Sequence, residues 1–62
     1  MRYSRDYNER ASAIERRGYA LPSEREWAAR NASRIRDNHS GSAQDSRERD
    51  RMERISSMRG RY

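Results

Sequence analysis

The sequence predicts an all-α domain of three short helices. Two observations carry that expectation. Apolar residues recur at three- and four-residue intervals in three separate stretches, divided by helix stops at Gly18 and around 38–44. Strand signals are missing, because apolar and polar residues do not alternate and Ile14, Ile35 and Ile55 are the only β-branched residues.

The first helix is expected over 4–17. Ser4 supplies a cap oxygen and Asp6 places an acid in the first turn, where the helix dipole favours it. Tyr3, Tyr7, Ala11 and Ile14 form a narrow apolar stripe, and Asp6 and Arg10 stand four apart in the favourable order. Gly18 ends the helix, since glycine takes the left-handed conformation at no steric cost.

The second helix is expected over 24–36. Pro22 holds Leu21 extended, and Ser23 with Glu26 three residues on reads as a capping box. Trp27, Ala28, Ala32 and Ile35 then share one face. The letters Leu21, Pro22, Ser23, Glu24, Glu26 and Trp27 resemble the helix-opening motif of the formylglycine-generating-enzyme family of sulfatase-modifying domains. The overlap runs only from Leu21 to Arg30, with Ala28-Ala29-Arg30 two residues early. The cysteines and metal-site residues of that family have no counterpart here, so the likeness is read as a shared way of starting a helix.

The stretch 38–44, Asn-His-Ser-Gly-Ser-Ala-Gln, reads as a flexible linker. The third helix is expected over 46–59, with Ser46 as cap and Gly60 as terminator. Its apolar stripe of Met52, Ile55, Met58 and Tyr62 is thin, and Glu48, Arg51 and Arg59 intrude on it. Helices 1 and 2 are expected to form a hairpin around Ile14, Leu21, Trp27 and Ile35. Helix 3 would dock on that hairpin, or exchange with another copy or a partner.

Length and composition bound the function. A single small domain is all that 62 residues allow, and only 31% of them are hydrophobic. No cysteine is present to staple it, so part of its stability is expected from self-association or from a larger partner. The net charge is +5, and every one of the fifteen basic residues is arginine. Guanidinium forks grip phosphate and carboxylate bidentately, and a GC-rich genome also favours arginine codons. The N-terminus has no apolar run of signal type and no membrane-length apolar stretch exists, so the expected compartment is the cytoplasm.

Catalysis is not expected. His39 is the only histidine and lies in the linker, no cysteine nucleophile exists, and no serine sits in a nucleophile elbow. Asp45, Glu48 and Asp50 are interleaved with Arg47, Arg49 and Arg51, which suits ion pairing better than metal binding. No cofactor is implied.

Two binding readings follow. The first is a non-catalytic accessory or inhibitor protein docking on a larger protein or protein–nucleic acid complex, with Tyr3, Tyr7, Tyr62, Met52 and Met58 as contacts. Size and composition also suit a phage-encoded factor. The second is direct RNA or DNA binding through Arg47, Arg54 and Arg61 at seven-residue spacing, with Arg51 and Arg59 beside them. Self-association into a homo-oligomer is the remaining alternative.

Overall fold

The computed structural model describes residues 3–38 and 42–60. They form three α-helices, α1 (Arg5–Arg17), α2 (Pro22–Asp37) and α3 (Ala43–Ser56), and no strand occurs among the described residues. The all-α class is as the sequence predicts.

Helix α1 is bounded as its sequence dictates. Ser4 is extended, and its hydroxyl accepts the Tyr7 N–H at 3.1 Å. At the other end Gly18 adopts φ 86°, and its N–H donates to the Ile14 carbonyl at 3.1 Å. The buried stripe is Tyr7, Ala11 and Ile14.

Helix α2 starts earlier than expected, and by a different cap. Pro22 is its first residue, where a missing N–H costs nothing. The Glu24 carboxylate accepts the Leu21 N–H at 2.8 Å, so Glu24 rather than Glu26 reaches back to close the first turn. Arg17 pairs with the same Glu24 oxygen and reaches the Tyr19 carbonyl at 3.2 Å, with its guanidinium 4.3 Å from the Tyr19 ring centroid. One arginine thus organises the whole α1–α2 connection.

Helix α3 also opens earlier, at Ala43. Its cap is Ser42, whose hydroxyl accepts the Asp45 N–H at 3.1 Å, and Ser46 lies inside the helix. The expected linker is correspondingly shorter, because Ala43 and Gln44 are helical. His39, expected to lie in that linker, is outside the described residues, as are Ser40 and Gly41. The helix stops at Ser56 rather than near Arg59, with the Ser57 N–H donating to the Glu53 and Arg54 carbonyls.

The expected α1–α2 hairpin is not what forms. Helices α2 and α3 are the closely packed pair, running side by side for most of their length. The main-chain bond from the Ala20 N–H to the Arg59 carbonyl, 3.0 Å, places the start of α2 beside the end of α3, so the pair is antiparallel. Small residues explain the choice. Ala28 and Ala32 are buried on α2 and let the α3 backbone approach, with Met52 and Ile55 filling the space beside them. The large residues of α1 hold it further off, and α1 touches α2 chiefly through Tyr7 and Arg10 against Trp27.

The core is Tyr7, Ala11, Ile14, Ala20, Ala28, Ala32, Ile35, Met52 and Ile55, with Tyr3, Trp27 and Met58 packed on it half-buried. Leu21, expected in the core, is exposed. Among the described residues two polar ones are buried, Asn31 and Asp45. The Asn31 side chain donates to the Trp27 carbonyl at 2.8 Å, and the Asp45 carboxylate accepts the Tyr3 hydroxyl at 2.6 Å. No helix among the described residues is long and apolar enough to cross a membrane.

Candidate functional site

Two seams flank α1, and they differ in chemistry. The seam with α3 is polar and closed. Arg51 stands at its centre: its Nε donates to Glu15 at 2.9 Å, and its terminal nitrogens reach Ser12 at 3.0 Å, Asn8 at 3.3 Å and Glu48 at 3.4 Å. Burial works against the Arg51 cation, and Glu15 and Glu48 outweigh it, so its pKa rises further. Tyr7 donates its hydroxyl to Glu48 at 3.1 Å, parallel to the Tyr3–Asp45 bond. Burial, reinforced by these carboxylates, pushes both phenols well above the ordinary tyrosine range. The Tyr3 hydroxyl in turn holds Asp45 below the usual carboxylate range, against burial.

The seam with α2 is open. A cleft of about 290 Å³ is lined by Ser4, Asp6, Tyr7 and Arg10 from the α1 side and by Trp27, Asn31 and Arg34 from α2. Tyr3, Tyr7 and Trp27 make a tilted aromatic row leading into it, with centroid separations of 5.2 and 5.7 Å. The Arg10 guanidinium lies over the Trp27 ring, 4.8 Å from its centroid. Nearby carboxylates are mostly committed elsewhere: Glu24 to Arg17 and the Leu21 N–H, Glu26 to Arg30. Burial opposes ionisation of Glu24, but the Leu21 N–H and Arg17, with a smaller contribution from Arg10, prevail and keep its pKa low. Among the described residues no carboxylate pairs with Arg10 or Arg34.

The residues singled out in the sequence fall in several places. Met52 is wholly buried in the core; Tyr7 is 9% exposed, a core residue that also reaches the wall of the α1–α2 cleft. The cause is their position: Tyr7 continues the stripe of Ala11 and Ile14, and Met52 sits one turn before Ile55. Tyr3 is half-buried and committed to Asp45. Met58 is half-buried in a small pocket of about 240 Å³ with Glu15, Arg54 and Ile55. Tyr62 and Arg61 lie outside the described residues.

Of the arginines proposed for nucleic acid, Arg47, Arg54 and Arg59 are exposed. Arg51 is not available in that sense, because it is tied into the α1–α3 seam. Asp50 and Glu53 are exposed on α3 along with Arg47 and Arg54, so the outer surface of that helix carries two anions with its two cations.

The cleft itself was missed in the sequence. Its signal is there: Trp27, Asn31 and Arg34 stand at i, i+4 and i+7 on α2, and Asp6, Tyr7 and Arg10 share a side of α1. Among the described residues no group of three or more metal-ligating side chains is assembled. In comparisons with known proteins, no family model matches the chain, and neither does any curated protein or solved structure.

Proposed function

We propose that this protein is a non-catalytic binding module, an accessory or inhibitor protein that docks on a larger macromolecular complex. The observation that carries this reading is the α1–α2 cleft, lined by a half-buried tryptophan and by two arginines that make no ion-pair contact among the described residues. Tryptophan, tyrosine and arginine are the side chains that dominate binding energy at protein interfaces. An arginine already stacked on an indole loses little further freedom when it binds. Size and the arginine-only basic set fit a phage-encoded factor, and a source locus far from any phage overturns that origin.

Direct nucleic-acid binding is the second reading, favoured by the exposed Arg47, Arg54 and Arg59. Asp50 and Glu53 offset part of that charge, so few net phosphate contacts are available.

Affinity capture of the tagged protein from its native lysate, with and without nuclease, separates the two. A protein complex recovered equally after nuclease supports the first reading. Recovery that depends on intact nucleic acid overturns it in favour of the second, and changing Arg47 and Arg54 to Gln then reduces recovery and its salt dependence.

A further inference from the structure

Resting on the binding-module reading, we infer that the α1–α2 cleft is a carboxylate clamp: a docking site for an acidic peptide segment of a partner protein, gripped by Arg10 and Arg34 against Trp27.

The geometry of Arg10 is the starting point. A guanidinium lying on an aromatic ring has its face covered and its N–H edge free. That edge matches the two oxygens of a carboxylate in a bidentate pair. Arg34 stands on the opposite wall of the same cleft, exposed, so a carboxylate entering between the walls meets cations from both helices. Neither nearby acid is in ion-pair contact with the two arginines: Glu24 contacts Arg17 and reaches Arg10 only through its longer-range field, and Glu26 contacts Arg30.

The remaining lining residues select the ligand class. Asp6 lies on the rim, unpaired among the described residues. Two cations and one anion leave a local surplus of one positive charge, which suits one carboxylate at a time. Base stacking is poorly served. Trp27 has Arg10 over its ring, Tyr7 tilted against it and the core behind it, so no open aromatic face is offered to a nucleobase. Asn31 spends its Nδ2 on the Trp27 carbonyl, which leaves its Oδ1 as an acceptor for a peptide N–H.

Trp27 is the single tryptophan of the chain, so its emission reports directly on the cleft. The probes are an end-blocked hexaglutamate peptide, the matching hexaglutamine peptide, and an oligothymidylate of the same charge as hexaglutamate. Hexaglutamate is expected to change Trp27 emission saturably, and hexaglutamine is not. Arg34→Gln is expected to weaken hexaglutamate binding about tenfold. Arg16→Gln removes the same charge from the exposed side of α1, outside the cleft, and is expected to leave binding unchanged. Both positions are exposed, so neither substitution endangers the fold. The clamp is overturned by an absence of saturable change, by equal weakening in Arg34→Gln and Arg16→Gln, or by oligothymidylate saturating at lower concentration than hexaglutamate. A nuclease-resistant partner captured alongside a failed hexaglutamate titration removes the clamp and leaves the binding-module reading standing.

Discussion

Replacing Arg51 with Met tests whether α1 is held by polar contacts. The substitution keeps the aliphatic stem and removes the guanidinium. Four side chains lose a partner: Glu15, Ser12 and Asn8 on α1, and Glu48 on α3. Glu15 is 37% exposed, so its pair with Arg51 is screened and contributes at the surface level of up to about 1 kcal/mol. Glu48 is 17% exposed and keeps only the Tyr7 hydroxyl, and its lost charge-assisted bond adds about 1 kcal/mol more. The bond to Ser12 and the longer one to Asn8, both near solvent, add a few tenths more. The expected loss is therefore about 2 kcal/mol, which lowers the melting temperature of so small a domain by about 10 °C. Arg51→Lys restores the charge but not the fork, and is expected to recover about half of that loss. The assay is urea unfolding at low and high salt, followed by Trp27 emission and by helical circular dichroism. A loss below about 0.5 kcal/mol for Arg51→Met would refute the argument, because the network would then be a set of contacts with no net stabilising effect.

Met52→Ala should be more severe, removing a wholly buried side chain between α2 and α3 at about 2–5 kcal/mol and leaving little folded protein by circular dichroism. Gly18→Ala forces an L side chain to φ 86° and should cost about 1 kcal/mol in urea unfolding, although the space around it is open. Ser42→Ala should cost about 1 kcal/mol through the lost cap on Asp45, whereas Ser46→Ala should change stability by no more than a few tenths. The raised phenols make a pH prediction. Their folded pKa values lie above the unfolded one, so the stabilisation is complete below about pH 10 and is lost as the pH climbs beyond it. Thermal melts above pH 10 should show that decline, and it should shrink in the Tyr3→Phe, Tyr7→Phe double variant.

What the sequence discloses and what it hides divide along a physical line. The Ser4 cap and the Gly18 stop are local: each needs only its own turn of chain, and both stand where the residues place them. The starts of α2 and α3 were equally local, but two signals competed. Ser23 with Glu26 looked like the stronger box, yet Pro22 at the first helical position and Glu24 reaching the Leu21 N–H begin the helix sooner. Ser42 followed by Asp45 was masked by its setting among Gly and Ser. The pairing of helices was not legible. Adjacency in the chain favours α1 with α2, whereas the small side chains of Ala28 and Ala32, which carry little hydrophobic signal, are what bring α2 against α3. The cleft stayed hidden for a related reason. The apolar face of α2 points Trp27 to the core, and only the docked position of α1 sets it half-buried under Arg10 in a cleft wall.

The main-chain bond from Ala20 to Arg59 sets where this folding unit can be cut. Ala20 has no exposure, so a chain shortened after Ser57 would strand a buried amide with no acceptor, at about 1–3 kcal/mol. Residues 57–60 are therefore a buckle rather than a trailing end, and a fusion partner belongs beyond them. Because the acceptor is a carbonyl, the buckle is indifferent to which side chain stands at position 59. Substituting Arg59 tests only its charge, and deleting it tests the closure of the domain.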